Sequence, residues 1–259
     1  MERALTKMTR YSVSIIGLGR IAWRGFDRPG IETHAQTVVG HEKLALTTGI
    51  DPDLTARAAF QEEFGCQVSE NHVKTDISVI CTPPEAHLDS VAMAIQSGTR
   101  AILCEKPLAP TVEECFDIVT ACRHAKIPLL VGHQRRYESK HRAMRDKLAE
   151  SGQPFRVTVV FTGDWLNNGT HAVDTARFLG DSNPMLYHRT AGDLFYVCAT
   201  QQDGTANDIE SYGRLRPGYM RAMYDDLIDA LETGKRPECN GEDGLHAVER
   251  ATFEARRAA

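Results

Sequence analysis

Five short apolar runs, at Ser12–Ile16, Lys43–Ile50, Ile77–Thr82, Arg100–Cys104 and Ile127–Gly132, constrain this chain more than any other feature. Each is apolar continuously rather than at alternate positions. That pattern fits strands covered on both faces, as in a parallel sheet wrapped by helices. Between the runs the spacing predicts helices. Glu85–Ser97 carries Leu88, Val91, Ala92 and Ile95 on one face and stops at Gly98. Thr111 and Glu114 stand at capping-box spacing, followed by Phe116, Val119 and Cys122 at helical intervals. Asp53–Phe64 reads as a third helix, stopped by Gly65. Strand–helix alternation with short connections predicts an α/β, doubly wound parallel sheet.

After about residue 134 the pattern changes. Phe155–Thr162 places Phe155, Val157, Val159 and Phe161 on one face and Arg156, Thr158 and Thr162 on the other, which suits an antiparallel sheet with one wetter side. Met185–Thr190 and Asp193–Thr200 read as two further strands flanking a tight-turn candidate, Ala191-Gly192. Gly169–Leu179, Tyr219–Glu232 and Gly244–Arg257 read as helices, and Ala199–Tyr219 has room for about one more strand. The expected organisation is a doubly wound domain over 1–133 and a smaller α+β domain over 134–259 with a mostly antiparallel sheet.

Composition removes several function classes. At 42% hydrophobic and 25% charged residues the chain is of globular type. The net charge is −5 and like charges form no long block, which argues against a nucleic-acid partner. No apolar stretch approaches the roughly 20 residues of a membrane span, and the N-terminal segment lacks a signal-peptide core, so a cytoplasmic protein is expected. The seven cysteines form no CxxC pair. Cys115 and Cys122 share a helix, about 10 Å apart by helical rise, too far for a disulfide. No His/Cys/Asp/Glu group has zinc-ligand spacing, so no metal is expected.

Four places could carry chemistry. Gly17-Leu18-Gly19-Arg20-Ile21-Ala22 follows the first strand and is a G-x-G-x-x-A turn, which lets backbone approach a pyrophosphate. Asp51 closes the second strand, where a carboxylate accepts from an adenosine ribose and disfavours a 2′-phosphate, so NAD is expected over NADP. It lies 34 residues after Gly17 rather than the usual ~20, which requires Trp23–Gly40 to be an insertion. Asp51-Pro52-Asp53 would equally serve as a helix cap. Lys106, in Cys104-Glu105-Lys106-Pro107, stands beyond the carboxyl end of a strand, where ligands sit in open sheets. A lysine there can neutralise or protonate a substrate oxygen. His171 and Asp174 share a helical face near Trp165 and Asn167, and the pair reads either as acid–base machinery or as a satisfied helix start. Arg135 and Arg136 would grip a carboxylate or phosphate, or simply open a surface helix.

Together these residues resemble the Gfo/Idh/MocA family of NAD(P)-dependent oxidoreductases. GLGRIA at 17–22, CTPPEAH at 81–87, CEKPLAPTVEE at 104–114, VGHQRRY at 131–137, NNGTHAVD at 167–174 and GEDGLHAVE at 241–249 carry the likeness. The resemblance implies hydride exchange between nicotinamide and a sugar, cyclitol or nucleotide-sugar, by a homodimer or larger homo-oligomer. It implies that Lys106 and His171 are catalytic. Gly17, Gly19, Arg20, Ile21, Asp51, Thr82, Pro83, His87, Glu105 and Lys106 would meet the cofactor. Arg136, Trp165, Asn167 and Asp174 would line the sugar pocket. Asn167 stands where the family usually has Asp, and the second domain looks trimmed. A catalytically silent NAD- or sugar-binding regulator, or an NAD-retaining hydrolase or epimerase, are the alternatives on the same fold.

Overall fold

The computed structural model describes residues 10–25, 31–210 and 215–258. Residues 1–9, read above for a leader, and residues 26–30 of the Trp23–Gly40 segment lie outside the described residues. All five apolar runs form strands: β1 (Tyr11–Ile16), β2 (Leu44–Ile50), β4 (Ile77–Ile80), β5 (Ala101–Cys104) and β6 (Leu129–Val131). With a short edge strand, β3 (Gln67–Ser69), they make a parallel sheet in the order β3-β2-β1-β4-β5-β6. The order reverses between β1 and β4, and the crevice beyond the strand ends there is where such sheets take ligands.

The helices are α1 (His34–Val39), α2 (Leu54–Phe64), α3 (His87–Gln96) and α4 (Val112–Ala125). Thr111 caps α4 as its spacing predicted, accepting from the Glu114 amide at 3.2 Å. Two expected faces are rotated. On α4 the buried residues are Cys115, Ile118, Val119 and Cys122, while Phe116 points outward. On α3 they are His87, Ser90, Val91 and Ala94, with Leu88 and Ile95 at the margin. The chain reaches α3 through a tight turn at Pro84–Ala86.

The second sheet corrects the expected hairpin. Its strands are β7 (Phe155–Thr162), β8 (Met185–Arg189), β9 (Phe195–Gln201) and β10 (Ala206–Glu210), in the order β10-β9-β7-β8. β8 and β9 flank Ala191-Gly192 but do not pair, because β7 lies between them. β7 reaches β8 through a helix, α6 (Thr170–Leu179), and that crossover makes the pair parallel. β9 then returns antiparallel on the other side of β7, pinned where Thr162 and Leu194 exchange hydrogen bonds. Val157, Val159 and Phe161 face inward as expected, whereas Thr162, expected outward, is buried by that exchange.

The expected boundary at 134 does not divide the packing. A helix before the second sheet, α5 (Ser139–Ser151), packs with it through Met144 and Leu148. The next helix, α7 (Tyr219–Thr233), returns to the first sheet: Tyr219, Met220, Met223, Tyr224, Leu227 and Ile228 belong to the same apolar core as β1–β6. The last, α8 (Gly241–Ala258), sends Val248 into that core, and its Ala247 and Ala251 meet Val173 of α6. No described helix is long and apolar enough to cross a membrane.

Candidate active site

A cleft of about 1020 Å³ opens at the β1/β4 switch point and runs to the second sheet. One end is the glycine turn. Gly17 has φ +85°, and a Cβ there would lie 2.6 Å from the Thr82 amide, so no other residue fits. Gly19 faces open space, and its amide makes no hydrogen bond among the described residues. The chain then makes one wide helical turn, Arg20–Arg24, instead of the long helix that usually follows such glycines. The Trp23–Gly40 segment supplies part of the missing layer. Trp23 packs edge-on against Phe60 and Phe64, and α1 buries His34, Ala35 and Val38. The described part of the segment therefore packs as part of the β1–β2 crossover.

Asp51 is held by backbone on both sides. One oxygen accepts the Leu18 amide at 2.8 Å, bracing the glycine turn, and the other accepts the Asp53 amide at 2.9 Å ahead of α2. The cap of α2 is its neighbour Asp53, which accepts the Thr55 amide at 2.8 Å. Thr82 and Pro83 line the cleft. His87, expected beside the nicotinamide ribose, is 1% exposed and lies beneath them. Its ring nitrogens sit 2.9 Å from the Thr82 carbonyl and 3.1 Å from that of Leu108, so it props the turn from behind.

Lys106 lies at the middle of the cleft, preceded by buried Glu105. The Lys106–Pro107 peptide is cis. Gly132 leaves room for the Glu105 carboxylate, since a Cβ there would fall 2.6 Å from Oε1. Glu105 accepts from His34 at 3.0 Å, and the far nitrogen of His34 meets the Tyr224 hydroxyl at 2.9 Å. Burial pushes the Glu105 carboxyl up, but the His34 contact and nearby Lys106 outweigh it and hold it below its ordinary value. Burial lowers the Lys106 ammonium, Glu105 opposes that, and Arg135 adds to it. Lys106 Nζ donates to Asn167 Oδ1, so the amide at the position expected to hold Asp contacts the lysine directly.

His171 enters the same space from α6. Its Nδ1 lies 3.5 Å from Nδ1 of His133, which leaves Nε2 for a ligand. Burial holds the His171 pKa well below its ordinary value, with further lowering from Arg135, Lys106, His133 and His141. Burial thus favours the neutral form of the imidazole.

Three residues expected in the sugar pocket lie elsewhere. Arg136 and Asp174 are both buried and bind each other, with Nε 2.9 and 3.0 Å from the two carboxylate oxygens. The guanidinium also reaches the Glu238 carbonyl at 2.7 Å and Asp243 at 3.2 Å. Trp165 packs against Phe161 at 4.9 Å between ring centres. Arg135 takes the cleft position instead. Residues 134–137 form a tight turn with about three residues per repeat, so adjacent arginines point roughly 120° apart. Adjacency made both look available, although the turn lets only one face the cleft.

The cleft's residues fit a dinucleotide. The free Gly19 amide, the open approach at Gly19 and the Asp51 carboxylate lie at one end, and Lys106 and His171 at the other.

An α/β sheet of order 3-2-1-4-5-6 with this glycine turn defines a Rossmann-type nucleotide-binding protein. Residues 11–133 match the GFO_IDH_MocA model, described as an oxidoreductase family with an NAD-binding Rossmann fold. That match likens residues 11–133 to the NAD-binding domain of the Gfo/Idh/MocA family. It is 28% identical to an inositol 2-dehydrogenase of Rhizobium meliloti (strain 1021), over 76% of this chain and 62% of that protein. It is 32% identical to a 1,5-anhydro-D-fructose reductase of Ensifer adhaerens, over 65% of this chain and 55% of that one. The matches thus span less than two thirds of either relative. Among solved structures, GenD2 from gentamicin A biosynthesis, in complex with NAD, superposes at TM-score 0.78 with 17% identity, covering 100% of this chain and 97% of that one. A dehydrogenase of Chromobacterium violaceum reaches TM-score 0.81 at 14% identity, covering 96% and 95%. At those identities the superpositions speak for the fold.

Proposed function

We propose that the chain is an NAD-dependent oxidoreductase that moves hydride between nicotinamide and a hydroxyl-bearing carbon of a sugar, cyclitol or nucleotide-sugar. The observation that carries this reading is one cleft joining the glycine turn to Lys106 and His171. Gly17, Gly19, Arg20 and Ile21 border the space for the dinucleotide, Asp51 takes the ribose end, and Thr82 and Pro83 take the nicotinamide end. Glu105 supports from below. A carboxylate at Asp51 disfavours the 2′-phosphate of NADP. The bound nicotinamide supplies a hydride acceptor or donor, chemistry that no side chain offers.

The chain's own residues handle the proton. An alkoxide is too basic to form unaided, so the hydroxyl must give up its proton as hydride leaves the carbon. His171, whose neutral form burial favours, accepts it at Nε2. Lys106, anchored on Asn167, donates a hydrogen bond to the same oxygen and stabilises the growing negative charge. In reduction the roles reverse, and His171 returns the proton.

Fluorescence titration with NADH and NADPH, followed by turnover on a sugar panel, tests the reading. Tighter NADH binding and measurable turnover are expected. Lys106→Met should abolish turnover while leaving NADH affinity within a few fold. Cofactor binding without turnover on any sugar would favour the silent regulator, and unchanged turnover in Lys106→Met would remove the lysine from the mechanism.

A further inference from the structure

Arg135 is 8% exposed, yet its Nε is buried without a hydrogen-bond partner. No hydrogen bond or ion pair reaches its guanidinium from the described residues. The guanidinium carbon sits 3.6 Å over the ring of Phe195, which fixes the plane of the group. Arg135 nevertheless borders the cleft beside Lys106 and His171. Its neighbour Arg136 shows how this fold holds a structural arginine, with two carboxylates and a carbonyl around it. Among the described residues Asp174 and Glu138 act on Arg135 only through space and Phe195 through its ring face, so a buried guanidinium is left without a carboxylate in contact, which is costly.

On the cleft wall, Glu105 is committed to His34 and Asp51 to two backbone amides. The reacting end of the cleft therefore has two close cations, Lys106 and Arg135, beside a histidine whose neutral form burial favours. A planar guanidinium held on an aromatic ring presents a rigid fork of donors that matches an oxyanion in two-point contact.

We propose that Arg135 receives an anionic group, carboxylate or phosphate, carried by the substrate, so that the preferred substrate is a sugar acid or sugar phosphate rather than a neutral sugar. The proposal rests on the oxidoreductase reading of the same cleft and names its substrate class. Arg135 binds the anion and orients the sugar, while Lys106 and His171 act at the reacting carbon.

The test compares a hexuronate, a hexose 6-phosphate and a neutral hexose on the full chain saturated with NADH. Thermal shift reads binding, and turnover with NAD reads selectivity. At least one anionic sugar should raise the wild-type melting temperature at concentrations where the neutral hexose does nothing. Arg135→Gln should erase that shift and cut the acid-over-neutral ratio of kcat/KM by roughly 10- to 100-fold, the worth of a charged hydrogen bond. Arg135→Lys, which keeps the charge without the fork, should retain part of both. A shift with the hexuronate alone assigns a carboxylate, and with the phosphate alone a phosphate. Equal binding of neutral and anionic sugars overturns the proposal. So does failure of every anionic probe to bind, or a preference that survives in a folded Arg135→Gln. Loss of NADH binding would sink the oxidoreductase reading by itself, whereas the thermal comparison, repeated on the chain without cofactor, scores the anion preference separately.

Discussion

Arg136 and Asp174 are 5% and 1% exposed, and each is the other's principal partner. Removing one partner of a buried pair strands the other charge, at a cost of about 3–5 kcal/mol. Arg136→Met or Asp174→Asn should therefore lower stability by that order in urea unfolding. A variant that folds normally and changes only KM would return these residues to the pocket. The buried histidines make a second prediction. His133, His141 and His171 all have lowered pKa values, chiefly by burial. An unfolded histidine titrates near 6.5, so below that pH the unfolded chain takes up protons that the native one refuses. Stability should fall as pH drops from about 7 toward 5, by at most about 1.4 kcal/mol per pH unit for each histidine. Melting curves at three pH values check this, and His133→Gln should flatten the slope. Lys106, His171 and the glycines were legible because their motifs carry their own backbone context. The division of labour between Arg135 and Arg136 was not, since it depends on the direction of each side chain around a turn.

Individual elements were readable wherever a local signal fixes them. Thr111 is the clearest case: its hydroxyl accepts the Glu114 amide and donates to the Glu114 carboxylate at 2.9 Å. Thr111→Ala should cost about 1 kcal/mol of stability with no change in cofactor affinity, measured by chemical denaturation. A loss of NADH binding in that variant would mean that α4 positions the cleft more tightly than its packing indicates. Elements set by distant partners were harder to read. β8 and β9 have strand-like sequence, but nothing local says that β7 separates them. The three-residue β3 is too short to leave a pattern. Trp23–Gly40 looked like an insertion because Asp51 stands 34 residues after Gly17, and the contacts of its described part come from Phe60, Phe64 and Tyr224, far along the chain.

At the scale of the molecule, the two sheets are not closed by the order of the chain. The first sheet is built by residue 131, but part of its apolar covering arrives with α7, after the second sheet is finished. Tyr224 ties that covering to the site, because its hydroxyl meets His34, which holds Glu105. α8 then braces α4 on one side and α6 on the other, so the Lys106 and His171 walls of the cleft share one strut. A fragment ending at residue 133, where the family match also ends, would expose the faces that Met220, Met223, Tyr224 and Leu227 cover. At roughly 25 cal/mol for each Å² of apolar surface, four such side chains are worth several kcal/mol, comparable to the whole stability of a domain. Residues 1–133 alone should therefore be poorly soluble or partly unfolded, with weak NADH binding. Joining residues 215–258 to that fragment through a short flexible linker, without the second sheet, should restore a cooperative melt and NADH binding but no turnover, since His171 is missing. If the short fragment melts cooperatively and binds NADH as tightly as the full chain, α7 is dispensable to the first core and the closure described here is wrong.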